Sequence, residues 1–544
     1  MRNKLLSIII TILLAASLCS CSSNTAPSNS SSVASSSQSE GSGSQSNSSS
    51  ASAEASAALS DDMFTSRDLS GEYDESAATK IELSNSVTVN GTGASVSDST
   101  ITISQQGTYI LSGAMNDGNI IIDCADETAK VQLVLNNATI KCSSYAPIYA
   151  KSADKLFITL ADNTENVIED NGEYQLGDDD ANVDGAVFAK CTTTFNGTGA
   201  LTVNGTQNHA VVSKDSLKVT SGTLNITSVS DALQGKDSVR ICGGNININA
   251  GEDAVKTSND EDEDKGFVYI IGGELNISAG DDGIHAEKKL TIKDGSVDIK
   301  ESYEGIEGTD VEISGGKISI VSTDDGVNPA GGSDGQDIGR PMEFGNLGNA
   351  DYKLVISGGY LFVNAGGDGL DSNGTISVEG GIVLVSGPEN NGNGALDYEV
   401  SAKISGGTLI AIGSAGMAVG FGNSSTQKSF MTNLTSAQQA NTTVAVTDEN
   451  NNLILSFTSP KTFENIVVSS SKLELNKEYN IVVGSSVSDA DENGFADSGS
   501  LSGGSVDSTI TLDSVATNNG GGMGGMRGPG GPGGQGGPGG PGRM

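Results

Sequence analysis

Val268-Tyr-Ile-Ile-Gly-Gly-Glu-Leu-Asn-Ile277, Leu290-Thr-Ile-Lys-Asp-Gly-Ser-Val-Asp-Ile299 and Val311-Glu-Ile-Ser-Gly-Gly-Lys-Ile-Ser-Ile320 carry one pattern three times. Each has two short runs of alternating apolar and polar residues, joined through a glycine corner. Alternation of period two is the mark of a strand with one face in and one face out. The pattern extends backward to Leu217–Asp231 and Val239–Asp253, and forward to Leu354–Val363, Ile376–Gly381 and Ala402–Gly407. Val131–Leu135, Leu156–Leu160 and Leu201–Val203 read as earlier, less regular rungs. The period is about 22 residues, with insertions. No 3.6-residue pattern and no Leu/Asn frame of a leucine-rich repeat is present. One such unit cannot bury its own inner face, whereas stacked units can. The expected fold is therefore all-β, a parallel β-helix whose coils lie about 4.8 Å apart. Glycine stands at the corners because the chain must turn there at positive φ.

The segments outside the solenoid have their own signatures. Arg2 and Lys4 precede the apolar run Leu5–Leu18, the layout of a secretory signal peptide. Leu18-Cys19-Ser20-Cys21 resembles a bacterial lipobox, with cleavage after Ser20 and lipidation of Cys21. The expectation is a lipoprotein signal peptide over 1–20 and a Ser-rich flexible linker over 21–60. The β-helix then covers 61–430. A C-terminal β cap over 431–517 includes a hairpin from Thr443–Thr447 to Leu453–Phe457. A Gly/Pro/Met-rich tail, read as disordered, closes the chain over 518–544. The expected location is extracytoplasmic, with a lipid anchor on the outer face of a bacterial membrane.

The 544 residues carry a formal net charge of −39. That excludes nucleic acid as a partner, because no basic stripe exists to displace counterions. His209 and His285 are the sole histidines, which argues against a His-rich zinc site. There is no Trp, but 11 Tyr remain for contacts with sugars. Cys124, Cys142, Cys191 and Cys242 match no metal motif and alternate with apolar residues. They read as small buried hydrophobes, with a Cys124–Cys142 disulfide left open.

Acids recur at a fixed offset, nine residues after the last corner glycine: Asp231, Asp253, Asp282, Glu304, Asp325 and Asp368. Asp281 and Asp324 double the acid in their units. Equal offsets in a solenoid become a column, and carboxylates about 4.8 Å apart repel. Oxygen ligands of this kind suit Ca²⁺. Asp-Gly turn chemistry alone accounts for part of the pattern, but not for Asp-Asp-Gly or for Glu304. Asp489-Ala-Asp491-Glu-Asn493-Gly494 opens like an EF-hand loop, yet Ser500 stands where the closing Glu belongs, so a solvated hairpin loop is expected. Asp178, Asp179, Asp180 and Asp184 read as an exposed acidic loop. Lys190, Lys214 and Lys236 follow the turns of successive rungs, a candidate strip for the carboxylates of a bound polymer.

Several long phrases resemble the clostridial-type surface carbohydrate-binding β-helix proteins, described as carbohydrate-binding domain-containing. They are Gly107–Gly113, Val131–Asn136, Ile148–Leu160, Asp281-Asp282-Gly283-Ile284-His285, Tyr303-Glu304-Gly305-Ile306-Glu307-Gly308 and Asp324-Asp325-Gly326-Val327-Asn328. With the cap and tail, the resemblance spans about residues 78 to 544. It implies a right-handed solenoid with bound calcium and affinity for acidic plant cell-wall polymers such as polygalacturonate. Asn208-His209-Ala210-Val211 departs from the family's Asp-Gly-Ile turn, which puts that rung's ligand in doubt. Parallel β-helices also host pectate lyases and polygalacturonases. The sequence lacks the Asn-Thr-Asp, Gly-His-Gly and Arg-Ile-Lys triplets of the latter. Non-catalytic glycan binding is the leading expectation, a lyase the second, and a calcium-stiffened adhesin the third.

Overall fold

A computed structural model describes residues 63–175, 182–330 and 351–520. Cys21, the signal and linker segments, Asp178, Asp179, Asp180 and most of the Gly/Pro/Met tail lie outside the described residues.

The solenoid is a stack of parallel strands making about 11 turns. A single coil shows the plan. Ser238–Ile241 and Asn245–Asn249 form two walls, and Val255–Thr257 forms the third. The first two walls belong to a 25-stranded sheet and the third to an 11-stranded sheet. Register is kept from coil to coil: Val239 pairs with Val268, Val268 with Leu290, Leu290 with Val311 and Val311 with Leu354. Every one of these inward residues is fully buried. Burying one such side chain contributes roughly 1.5–3 kcal/mol, and no coil can collect that alone.

The corners explain the glycines. Gly316 and Gly359 both sit at φ +82°, in the left-handed region. A Cβ on Gly359 would lie 2.7 Å from the carbonyl oxygen of Gly315 in the coil below. Both the φ and the close approach exclude a side chain.

The ends of the stack are closed. Ala94–Ser97 pairs antiparallel with Thr100–Ile103 at the start of the third wall. At the other end Phe463–Ser469 pairs antiparallel with Thr408–Gly413, which terminates the parallel ladder. A five-stranded antiparallel sheet then follows, in which Thr443–Asp448 and Leu453–Thr458 form the expected hairpin. These partners occupy edges that would otherwise pair with other chains.

Near the N-terminus, Ser66–Leu69 makes one short helix with a capping box between Thr65 and Asp68. The segment crosses the outer face of a wall as a strap. Asp68 is 0% exposed and receives Lys218 Nζ at 2.8 Å and Thr194 Oγ1 at 3.0 Å. Burial alone would raise its pKa, but the hydrogen bonds from Lys218 and Thr65 outweigh it and hold the carboxyl below its usual range. Asn196 Nδ2 and Thr220 Oγ1 both donate to Asp68 O. All four of these cysteines carry free thiols; Cys124, Cys142 and Cys191 are buried, and Cys242 is half-buried.

A carboxylate ladder on the third wall

The third wall sets the acids in a file. Val211, Leu233, Val255, Ile284, Ile306, Val327, Leu370 and Leu396 pair in succession. Two residues before each come His209, Asp231, Asp253, Asp282, Glu304, Asp325, Asp368 and Gly394. The six acids read at the fixed offset therefore share one register position. His209, in the departing turn, occupies that same position one coil earlier. Burial pushes its pKa down, and its Nδ1 accepts the Asp231 N–H at 3.1 Å.

A second file was missed. One residue after each pairing position from Leu233 onward stand Gln234, Lys256, His285, Glu307, Asn328, Asp371 and Asp397. Each lies three residues beyond the first-file position of its own coil, so the two files converge. The signal was present as a polar residue at a constant further offset, but its varied chemistry hid it.

Along the lower coils the charges are answered. Lys256 Nζ lies 2.5 Å from Asp253 Oδ2 and 4.0 Å from Asp231 Oδ1. His285 Nδ1 lies 3.0 Å from Asp282 Oδ2 and 2.6 Å from Glu307 Oε2. His285 is 4% exposed; burial opposes its charge, yet the two carboxylates prevail and push its pKa up to about 11. Backbone amides help as well. Asp253 N donates to Asp231 Oδ1 at 3.2 Å, and Asp282 N to Asp253 Oδ1 at 2.9 Å. Higher up, Asp368 N donates to Asp325 Oδ1 at 2.6 Å.

Above His285 the counter-charges stop. Among the described residues, no lysine, arginine or histidine forms an ion pair with Glu304, Asp325, Asp368, Asp371 or Asp397. Burial, and after it the neighbouring carboxylates, push Glu304 up to about 9, Asp371 to about 8, Asp368 to about 7 and Asp325 to about 6. Asn328 Nδ2 donates to Glu304 Oε2 at 2.8 Å, while its Oδ1 is buried without a partner. Asp324 Oδ1 and Asp325 Oδ1 both turn into the space that a Cβ on Gly367 would fill. This donor set is all oxygen and lacks a positive charge, which fits a hard divalent cation. Lower down, the ligand atoms of Asp253, Asp281 and Asp282 also lie within 4.8 Å of one another.

The other sequence-derived sites fall elsewhere. Lys190, Lys214 and Lys236 are in register, each N–H donating to the preceding coil at 2.8 Å. Lys190 Nζ sits 5.6 Å from the Tyr149 ring centre and Lys214 Nζ 5.2 Å from that of Phe188. Lys214 also lies 3.8 Å from Asp184. Ser258 follows Lys236 in the file, so the strip ends four coils, roughly 19 Å, before Asp325. In the Asp489–Asp497 loop, Asp491 Oδ1 accepts the N–H groups of Asn493 and Phe495, and its Oδ2 accepts Tyr360 Oη at 2.7 Å. That loop is a turn docked on the solenoid.

Comparison with known proteins gives three findings. Residues 97–336 match the sequence model of a family described as carbohydrate-binding domain-containing protein. A curated Acetivibrio thermocellus protein of that same description is 38% identical over 138 residues. The match takes in 25% of this chain and 48% of that protein, so the chain spans about half the length of this relative. A solved structure, titled as the polysaccharide lyase-like protein from C. thermocellum in a gadolinium derivative, is 34% identical. It covers 44% of this chain and 92% of its own, with a TM-score of 0.40.

Proposed function

We propose that this chain, whose residues 97–336 match the model of the carbohydrate-binding domain-containing protein family, is a non-catalytic, calcium-dependent binder of acidic polysaccharide such as polygalacturonate. One observation carries the reading: the upper ladder gathers the half-buried carboxylates of Asp325, Asp368 and Asp371 around the buried Asn328, whose Oδ1 has no partner, and among the described residues no protein cation pairs with them. Calcium there would relieve the mutual repulsion and leave coordination positions for a sugar carboxylate. Calcium is placed at these coils rather than at Asp231 and Asp253, because Lys256 already answers those two.

The lysine strip is a second contact surface for the same polymer. A lyase needs a base beside its calcium-bound uronate. Among the described residues the strip stands roughly 19 Å from Asp325, too far for one sugar to touch both. With Cys21 lipidated, the protein would present the ladder outside the cell.

The test is calorimetry of polygalacturonate into the full chain, with calcium and then with EDTA, while ultraviolet absorbance follows unsaturated products. Heat that needs calcium, without absorbance, supports the binder. Rising absorbance would make it a lyase. No heat in calcium would remove the acidic glycan.

A further inference from the structure

We infer that Tyr303 is the stacking platform for one pyranose ring of a bound glycan, beside the carboxylates that stand over Gly367. The inference rests on the glycan-binding reading above and names the residue that meets the sugar.

Beside the acidic file runs a flanking one. Asp281, Tyr303, Asp324 and Gly367 succeed one another through backbone bonds from Tyr303 N to Asp281 O at 2.8 Å, Asp324 N to Tyr303 O at 2.9 Å and Gly367 N to Asp324 O at 2.9 Å. Tyr303 is 48% exposed, whereas Tyr109, Tyr149, Tyr269 and Tyr479 are buried. The Asp324 carboxylate stands near its hydroxyl and raises its pKa. The backbone that carries the ring is therefore pinned between two coils. A ring on backbone so fixed loses little conformational freedom when a ligand packs on it.

The next step of the file supplies the polar half of a sugar site. Gly367 has no side chain, and the oxygens of Asp324 and Asp325 occupy the place where one would stand. One coil, about 4.8 Å, separates Tyr303 from Asp324 in the file, so both lie within the span of a single sugar. The apolar C–H face of a pyranose suits the tyrosine ring. Its hydroxyls, or its carboxylate through a cation, suit the two aspartates. The chain has no Trp, so this task falls to tyrosine.

The test uses the full chain and two variants, Tyr303→Ala and Tyr303→Phe. Polygalacturonate affinity is measured by calorimetry in calcium, and cation binding separately by Tb³⁺ luminescence. Tyr303→Ala is expected to weaken the glycan about tenfold, and Tyr303→Phe, which keeps the ring, by no more than about threefold. Tb³⁺ affinity should hold in both. Unchanged glycan affinity in Tyr303→Ala overturns the platform and leaves the binder intact, as does equal loss in the two variants, which would credit the hydroxyl. A wild-type chain that takes Tb³⁺ but no polygalacturonate removes the functional reading, and the platform with it.

Discussion

Lys256 pairs in register with His285 one coil above, so the two positive side chains of the ladder's second file stack directly on each other. Each sets one positive charge between carboxylates of two coils. His285 does so between Asp282 and Glu307, at 4% exposure. Replacing it by Gln would leave two buried carboxylates facing each other. His285→Gln is expected to destabilise the protein by about 3–5 kcal/mol in urea melts at neutral pH. A change below about 1 kcal/mol would mean that the imidazolium is not what holds these coils together.

The upper acids give stability an unusual pH slope. Unfolded carboxylates titrate near about 4. Folded Asp325, Asp368, Asp371 and Glu304 are raised to about 6, 7, 8 and 9. Between those values the folded state binds more protons than the unfolded state, so stability falls as pH rises. His285, raised to about 11, acts in the same direction, since its contribution is full below about 6.5 and fades as pH climbs toward the folded value. In EDTA, the melting temperature should drop from pH 5 to pH 9. Calcium should flatten that slope by stabilising the ionised acids. A chelated protein that grows more stable across this range would contradict the ladder's electrostatics.

Asp371 separates the two roles of a ladder acid. Its pKa is raised by burial and then by the charges of Asp325, Asp368 and Asp397. Asp371→Asn should therefore raise the melting temperature in EDTA, because it removes repulsion. The same change should weaken calcium about tenfold, because it removes a ligand charge. Opposite signs in the two conditions are the signature; a loss in both would mark Asp371 as a plain structural residue.

The strap offers a stability test far from the ladder. Asp68 and Lys218 meet at 2.8 Å, with the carboxylate fully buried. Asp68→Ala should cost about 3–5 kcal/mol, since it strands a buried ammonium. Adding Lys218→Met should recover much of that loss. If the double variant is as unstable as the single one, the ion pair is not the fastening.

Much of this was legible in the sequence. The alternation in Val268–Ile277 and its repeats carries the solenoid, because period two and a fixed corner leave few ways to bury the inner face. The fixed offset from glycine to acid carries the first file, because equal spacing becomes equal height. The second file was hidden by its chemistry: Gln234, Lys256, His285, Glu307, Asn328 and Asp371 share a place but no residue type. The meeting of Asp68 with Lys218 was hidden for another reason. They stand 150 residues apart, and no periodicity links a strap to the wall it crosses.

That same separation orders the folding of the chain. Asp68 is made before every coil it touches, yet its partners arrive in series, with Thr194, Asn196, Lys218 and Thr220 all following later. Closing a loop of that length costs entropy that only preformed coils can offset. The strap, early in synthesis, is thus late in assembly, and its docking reports that the coils beneath it are already stacked in the right register.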